Sequence, residues 1–118
     1  MKRDLDLIRD LLLRAEQVEP GVFLRGENDV VEGEHVRLLI ESGYVEGGLN
    51  WVGPHGEVRD WEIHRLTMKG HDFISNLRSP AIFAKVKALA RKTTETASLE
   101  VLGQAGATFV LQALGLDG

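Results

Sequence analysis

Apolar residues recur at helical spacing from Asp4 to Val18: Leu5, Ile8, Leu11, Leu12, Ala15 and Val18 share a stripe, while Arg9, Asp10, Arg14 and Glu16 lie mostly elsewhere around it. Asp4 and Asp6 suit the positive end of such a helix. Glu19-Pro20-Gly21 stops it, because proline disfavours helix at the residue before it and cannot continue one. Val22-Phe23-Leu24 then reads as a short strand. A second helix is predicted over about Val31 to Ser42, burying Val36, Leu39 and Ile40, with Gly43 in the favoured position past its end.

The period then changes. Tyr44-Val45 begins a strand, Leu49 to Val52 forms a hairpin arm, Gly53-Pro54-His55-Gly56 has the residues of a turn, and Glu57 to Leu66 returns. Alternation puts Trp61, Ile63 and Arg65 on one face of the return strand and Val58, Asp60, Glu62, His64 and Leu66 on the other. Trp51 and Trp61, on opposing arms, read as a cross-strand pair or as core; exposed, they would be anchors for a protein partner. Thr67 is placed to cap a helix over about Met68 to Leu77, which ends near Ser79-Pro80.

A further helix, about Ala81 to Lys92, buries Ile82, Phe83, Val86, Leu89 and Ala90, and Thr93 to Thr96 is a polar break. The last helix, about Ser98 to Leu116, has polar Glu100, Gln104, Thr108 and Gln112 in one narrow stripe and is otherwise apolar or small. Such a helix must bury more than one face, which points to a homodimer through Leu99, Leu102, Phe109, Val110 and Leu114, with Glu100 and Gln104 left wet. Its apolar run of about 18 residues is near the lower limit for a membrane span. Glu100, Gln104 and Gln112 inside it, and the lack of a basic flank beyond it, argue against insertion.

Composition narrows the class. The chain has 118 residues, 43% hydrophobic and 27% charged, which suits one soluble globule with its own core. With no cysteine there is no disulfide scaffold, thiol nucleophile or cysteine-zinc site. Lys2 and Arg3 are basic, but Asp4, Asp6 and Asp10 break any apolar leader segment, so a cytoplasmic location is expected. The net charge of −4 announces no nucleic-acid binder, yet it is unevenly spread: residues 1–58 carry six basic and twelve acidic side chains, residues 59–92 eight and three. Fields act over about 8–10 Å at physiological salt, so the asymmetry matters more than the total.

Helix, short strand, helix ending in Ser42-Gly43-Tyr44-Val45, hairpin and helix is the order of a winged helix-turn-helix. More narrowly, the chain resembles the small bacterial and phage proteins grouped as domain of unknown function 2513. The resemblance rests on Met1-Lys2-Arg3-Asp4-Leu5-Asp6-Leu7-Ile8-Arg9, on His35 to Gly43, on Arg65 to Ile74, and on Lys85-Val86-Lys87 with the apolar C-terminus. It covers the whole chain and implies an architecture rather than a chemistry; the prophage association of such proteins implies a regulatory or host-interfering role. The expectation is therefore an α+β fold: a winged-helix-like domain over residues 1–79, and a C-terminal helical extension over 80–118 that packs on it or mediates dimerisation. Only about ten residues separate Pro20 from the second helix, so the helix that normally supports a recognition helix must be short or absent.

For a DNA-binding regulator, the second helix would offer His35 and Arg37 to the groove, the hairpin His55 and Arg59, and the following helices Lys85, Lys87, Arg91 and Lys92 to phosphates. Glu32, Glu34 and Glu41 on the second helix oppose this and favour the rival reading, an acidic module that docks on a host protein. No metal site or cofactor is expected: His35, His55, His64 and His71 form no close ligand pair, and no glycine-rich phosphate loop follows a strand. Asp60 and Glu62 share a strand face, but acid-base work needs a cleft that splits their pKa values, so a non-enzymatic protein is expected.

Overall fold

Asp4 starts the first helix, its carboxylate accepting from the Asp6 and Leu7 amides at 2.9 and 3.2 Å. The computed structural model describes residues 3–92 and 98–115; the polar break at Thr93 to Thr96 lies outside the described residues, and the last helix, expected to reach Leu116, closes at Ala113 with Leu114 as its cap and Gly115 at φ +72°. The fold is α+β, and the described elements are α1 (Leu5–Gln17), β1 (Leu24–Glu27), α2 (Val30–Glu41), β2 (Val45–Val52), β3 (Val58–Leu66), α3 (Met68–Leu77), α4 (Pro80–Lys92) and α5 (Leu99–Ala113). The chain divides into two compact units, Met1–Asp72 and Phe73–Gly118, with the boundary inside α3. A single helix stands between β1 and β2, as the short spacing after Pro20 requires.

In the first unit an antiparallel sheet of order β1-β3-β2 carries α1 and α2 on one face. Its core is Ile8, Leu11 and Leu12 of α1, Val36 and Leu39 of α2, and Val58, Trp61, Ile63 and Leu66 of β3. Burying each such aliphatic chain contributes about 1.5–3 kcal/mol. Two glycines permit the close packing. A side chain at Gly26 would enter the Trp61 ring, and a Cβ at Gly33 would lie 2.8 Å from the Val58 Cβ and carbonyl oxygen, so the close approach of α2 to β3 there needs glycine. Thr67 caps α3 as expected: its hydroxyl oxygen accepts from the Gly70 amide at 3.1 Å, while the hydroxyl donates to the Gly43 carbonyl at 2.6 Å.

Three expectations for the sheet are corrected. The first strand is Leu24–Glu27 rather than Val22 to Leu24. Gly21 takes φ +83°, the Val22 amide closes a turn onto Glu19, and Val22 and Phe23 are exposed. The tryptophans do not pair: Leu49 faces Trp61, and Trp51 faces Asp60. Trp51 stands two residues nearer the turn than Leu49, and the extra residue Asn50 in β2 turns it to the other face; His64 and Arg59 are likewise extra in β3. Each such bulge shifts the alternation by one, so Val58, Trp61, Ile63 and Leu66 are all buried while Arg65 is exposed.

The second unit packs α4 and α5 with the remainder of α3. Phe73, Ile74, Leu77, Ile82, Phe83, Val86, Leu99 and Leu102 are its buried side chains. Gly103 and Gly106 bring α5 against Phe73 and Leu77: a Cβ at either would sit 2.9 Å from those rings or methyls. Glu100, Gln104, Thr108 and Gln112 are exposed, as the stripe predicts, and Ser98 caps α5. Leu89 was expected inside and is 38% exposed. Leu99 and Leu102 are buried within their own unit, so as folded they are core rather than dimer contacts; Phe109 and Val110 are half-buried and Leu114 is 65% exposed.

Candidate functional site

The helix expected to offer His35 and Arg37 to DNA is α2, and its polar residues are largely engaged. Asp29 caps it, accepting from the Glu32 amide at 3.0 Å. Glu32 turns towards α1, where its carboxylate accepts from Arg14 at 2.9 Å while Asp10 holds the same guanidinium at 3.0 Å. Glu32 therefore ties two helices together and is not available as a docking carboxylate. Glu34 lies 3.8 Å from Arg37, and Glu41 is exposed.

His35 was expected on the outer face and is instead fully buried. Its Nδ1 lies 2.7 Å from the Val31 carbonyl, and its Nε2 accepts from the Asp4 amide at 2.9 Å. A carbonyl requires a donor and an amide an acceptor, so the two contacts select the neutral ring with its proton on Nδ1. Burial rules out contact with a DNA base. His35 is a staple between α2 and the start of α1.

Arg37 reaches the hairpin turn, donating from Nη2 to the Gly56 carbonyl at 2.6 Å. Gly56 takes φ +81°, which shapes the turn that presents this oxygen. Glu57 fastens the same turn: its carboxylate accepts from the His55 amide at 2.9 Å, its own amide lies close, and Arg59 stands 3.5 Å away. These amides first, and Arg59 after them, hold the Glu57 carboxyl below the usual carboxylate range. His55 is exposed at the tip.

The other cations assigned to phosphates lie in the second unit, on α4. Lys85, Arg91 and Lys92 are exposed, and Lys85 and Lys92, two turns apart, share a face. Lys85 stands 5.8 Å from the Phe109 ring centre and Lys87 5.5 Å from that of Phe83, so their stems cover aromatic surface.

Sequence reasoning missed two features of the sheet. Its second face, away from α1 and α2, carries Arg25, Glu27, Asp60, Glu62 and His64; Glu62 lies 3.8 Å from Arg25 and 3.5 Å from the His64 Nε2. Trp51, 61% exposed, stands on β2 opposite Asp60. Nothing in the local sequence signals the bulge that puts it there. Among the described residues no group of histidine and carboxylate side chains is placed to hold a metal ion, and no helix is long and apolar enough to cross a membrane.

Comparison with known proteins gives two matches. The model of a family described as hypothetical protein (DUF2513) matches residues 2–96. An uncharacterised protein of Haemophilus influenzae is 25% identical over 123 aligned positions, covering 97% of this chain and 99% of the relative. No solved structure matches the chain.

Proposed function

The chain belongs to the DUF2513 family, and on that premise we propose that it is a non-enzymatic regulatory module that binds another protein through the acidic surface between Glu27 and Glu46, on a winged-helix-like scaffold. One observation carries this reading: the recognition-position helix has its histidine buried and its arginine bound to the Gly56 carbonyl, while Glu41 faces solvent and Glu34 stays partly exposed. Exposed carboxylates are repelled by phosphate and fit a basic protein surface. The unit that contains them, Met1–Asp72, holds nine basic and fifteen acidic side chains, a net of −6. In this reading the protein acts in the cytoplasm, as a prophage-type regulator or inhibitor of a host protein, and pairs with a second copy through the exposed end of α5 at Leu114.

A second reading, DNA binding, is favoured by the exposed Lys85, Arg91 and Lys92 of α4. Such cations bind phosphates without reading sequence. One pair of variants separates the readings. Glu34→Lys with Glu41→Lys should abolish capture of a partner from host lysate under the first reading, and tighten binding to labelled duplex DNA under the second. Lys85→Ala with Lys87→Ala should flatten the salt dependence of DNA binding by about 0.9 per lost contact. Partner capture that survives the charge reversal would overturn the protein-binding reading.

A further inference from the structure

Gly47 and Gly48 stand side by side in β2 for different reasons. A side chain at Gly47 would strike the Glu62 carbonyl, so the bulge beside it requires glycine. At Gly48 a Cβ would meet nothing nearer than Asn50 Oδ1 at 3.8 Å and Glu62 Oε1 at 4.0 Å, which is ordinary contact. Its φ is not positive either. The fold thus makes no demand for glycine at 48, although glycine weakens a strand and often marks a place where another chain comes close. Its missing side chain leaves a notch, and two oxygen acceptors converge over it.

The notch opens on a free edge. β2 has β3 on one side only, and none of its backbone groups hydrogen-bonds outside that ladder among the described residues. Val45–Val52 contains no lysine, arginine or proline, three of the residues that blunt exposed edges; Glu46 at its start and its bulges are the devices it has. The bulge at Asn50 sets the exposed Trp51 opposite Asp60, just beyond the notch. β1, the other edge, is four residues long against eight for β2.

The charge around the edge names the occupant. Asp60 accepts from the neutral Asn50 amide, Glu62 has only Arg25 at 3.8 Å and His64 at 3.5 Å, and Glu46 is matched by Arg65. We propose that β2 takes an extended, lysine-bearing segment of a partner protein as a fourth strand. One lysine of the segment lies across Gly48 towards Glu62 Oε1 and Asn50 Oδ1, and a neighbouring side chain packs on Trp51. An added strand would lie about 10 Å from β3, two strand spacings away, and with glycine at 48 the lysine stem can cross β2 unobstructed. Backbone bonds would supply much of the affinity and the lysine the selectivity. The inference rests on the protein-binding reading and names its partner segment.

The test uses the full chain and a fluorescein-labelled heptapeptide of alternating lysine and threonine, read by anisotropy. Two control peptides carry glutamate for lysine, or backbone N-methyl groups that keep the charges and block pairing. Both should bind at least tenfold more weakly. Gly48→Val, a residue at home in a strand, should also weaken binding at least tenfold while leaving the melting temperature unchanged or raised. Equal binding of the N-methylated peptide, or full binding by Gly48→Val, would overturn strand addition yet leave the effect of Glu34→Lys with Glu41→Lys on partner capture intact. A dimer that Gly48→Val converts to monomer in sedimentation would overturn it too, assigning the edge to a second copy of the chain.

Discussion

Helices α2 and α4 carry the charges that suit a binding surface, and they dispose of them in opposite ways. On α2, His35 is buried and Arg37 is bound to the hairpin turn. On α4, Lys85, Arg91 and Lys92 remain exposed. The surrounding units differ likewise: −6 for Met1–Asp72, and five basic against three acidic side chains, +2, for Phe73–Gly118. A polar residue on a helix is a surface residue only if no neighbouring carbonyl, amide or carboxylate claims it. In the first unit the turn at Gly56 and the amide of Asp4 make those claims.

The largest expected effect breaks the comparison at His35. His35→Leu strands the Asp4 amide and should cost about 1–3 kcal/mol, read as a lower urea midpoint. An unchanged midpoint would return His35 to the surface. A smaller effect separates the glycines that let helices approach their neighbours in each unit. At Gly33 an added Cβ meets the Val58 Cβ and carbonyl oxygen, both at 2.8 Å, whereas at Gly106 the nearest atom is a Leu77 methyl at 2.9 Å that can rotate away, and the Asn76 carbonyl oxygen lies farther off at 3.2 Å. Gly33→Ala should therefore destabilise by about 1–2 kcal/mol. Gly106→Ala should cost less, since the Asn76 carbonyl has to give only slightly and alanine returns about 1 kcal/mol of helix propensity. Equal urea midpoints for the two variants would remove this distinction between the two approaches.

The smallest effect concerns the turn that holds Arg37. Because the folded state depresses the Glu57 carboxyl, its stabilisation is present above the ordinary glutamate range and is lost as pH falls through the lower, folded value. Amide exchange at Gly53 and His55 should quicken over that acid window in the native protein. Glu57→Gln should make the exchange of both amides independent of pH there once intrinsic chemistry is divided out; a persisting step would place the titrating group elsewhere.

Much of this was legible before folding. Asp4, Thr67 and the 3.6-residue stripes located the helices to within a few residues, and Gly53 to Gly56 located the hairpin, because caps, periodicity and turn residues act within a few positions of themselves. The acidic character of α2 and the basic character of α4 were equally plain. The strands were less so. Asn50, Arg59 and His64 are extra residues only relative to the partner strand, and each reverses which face its successors occupy. That is why a pair of tryptophans became one core residue and one exposed ring, and why the notch at Gly48 was invisible. By itself the sequence determined the helices, their ends and the distribution of charge, all set by local chemistry. The tertiary structure alone decided the register of the sheet, which each strand sets for its neighbour, and the long-range partners of His35, Glu32 and Arg37, which lie between 18 and 31 residues away.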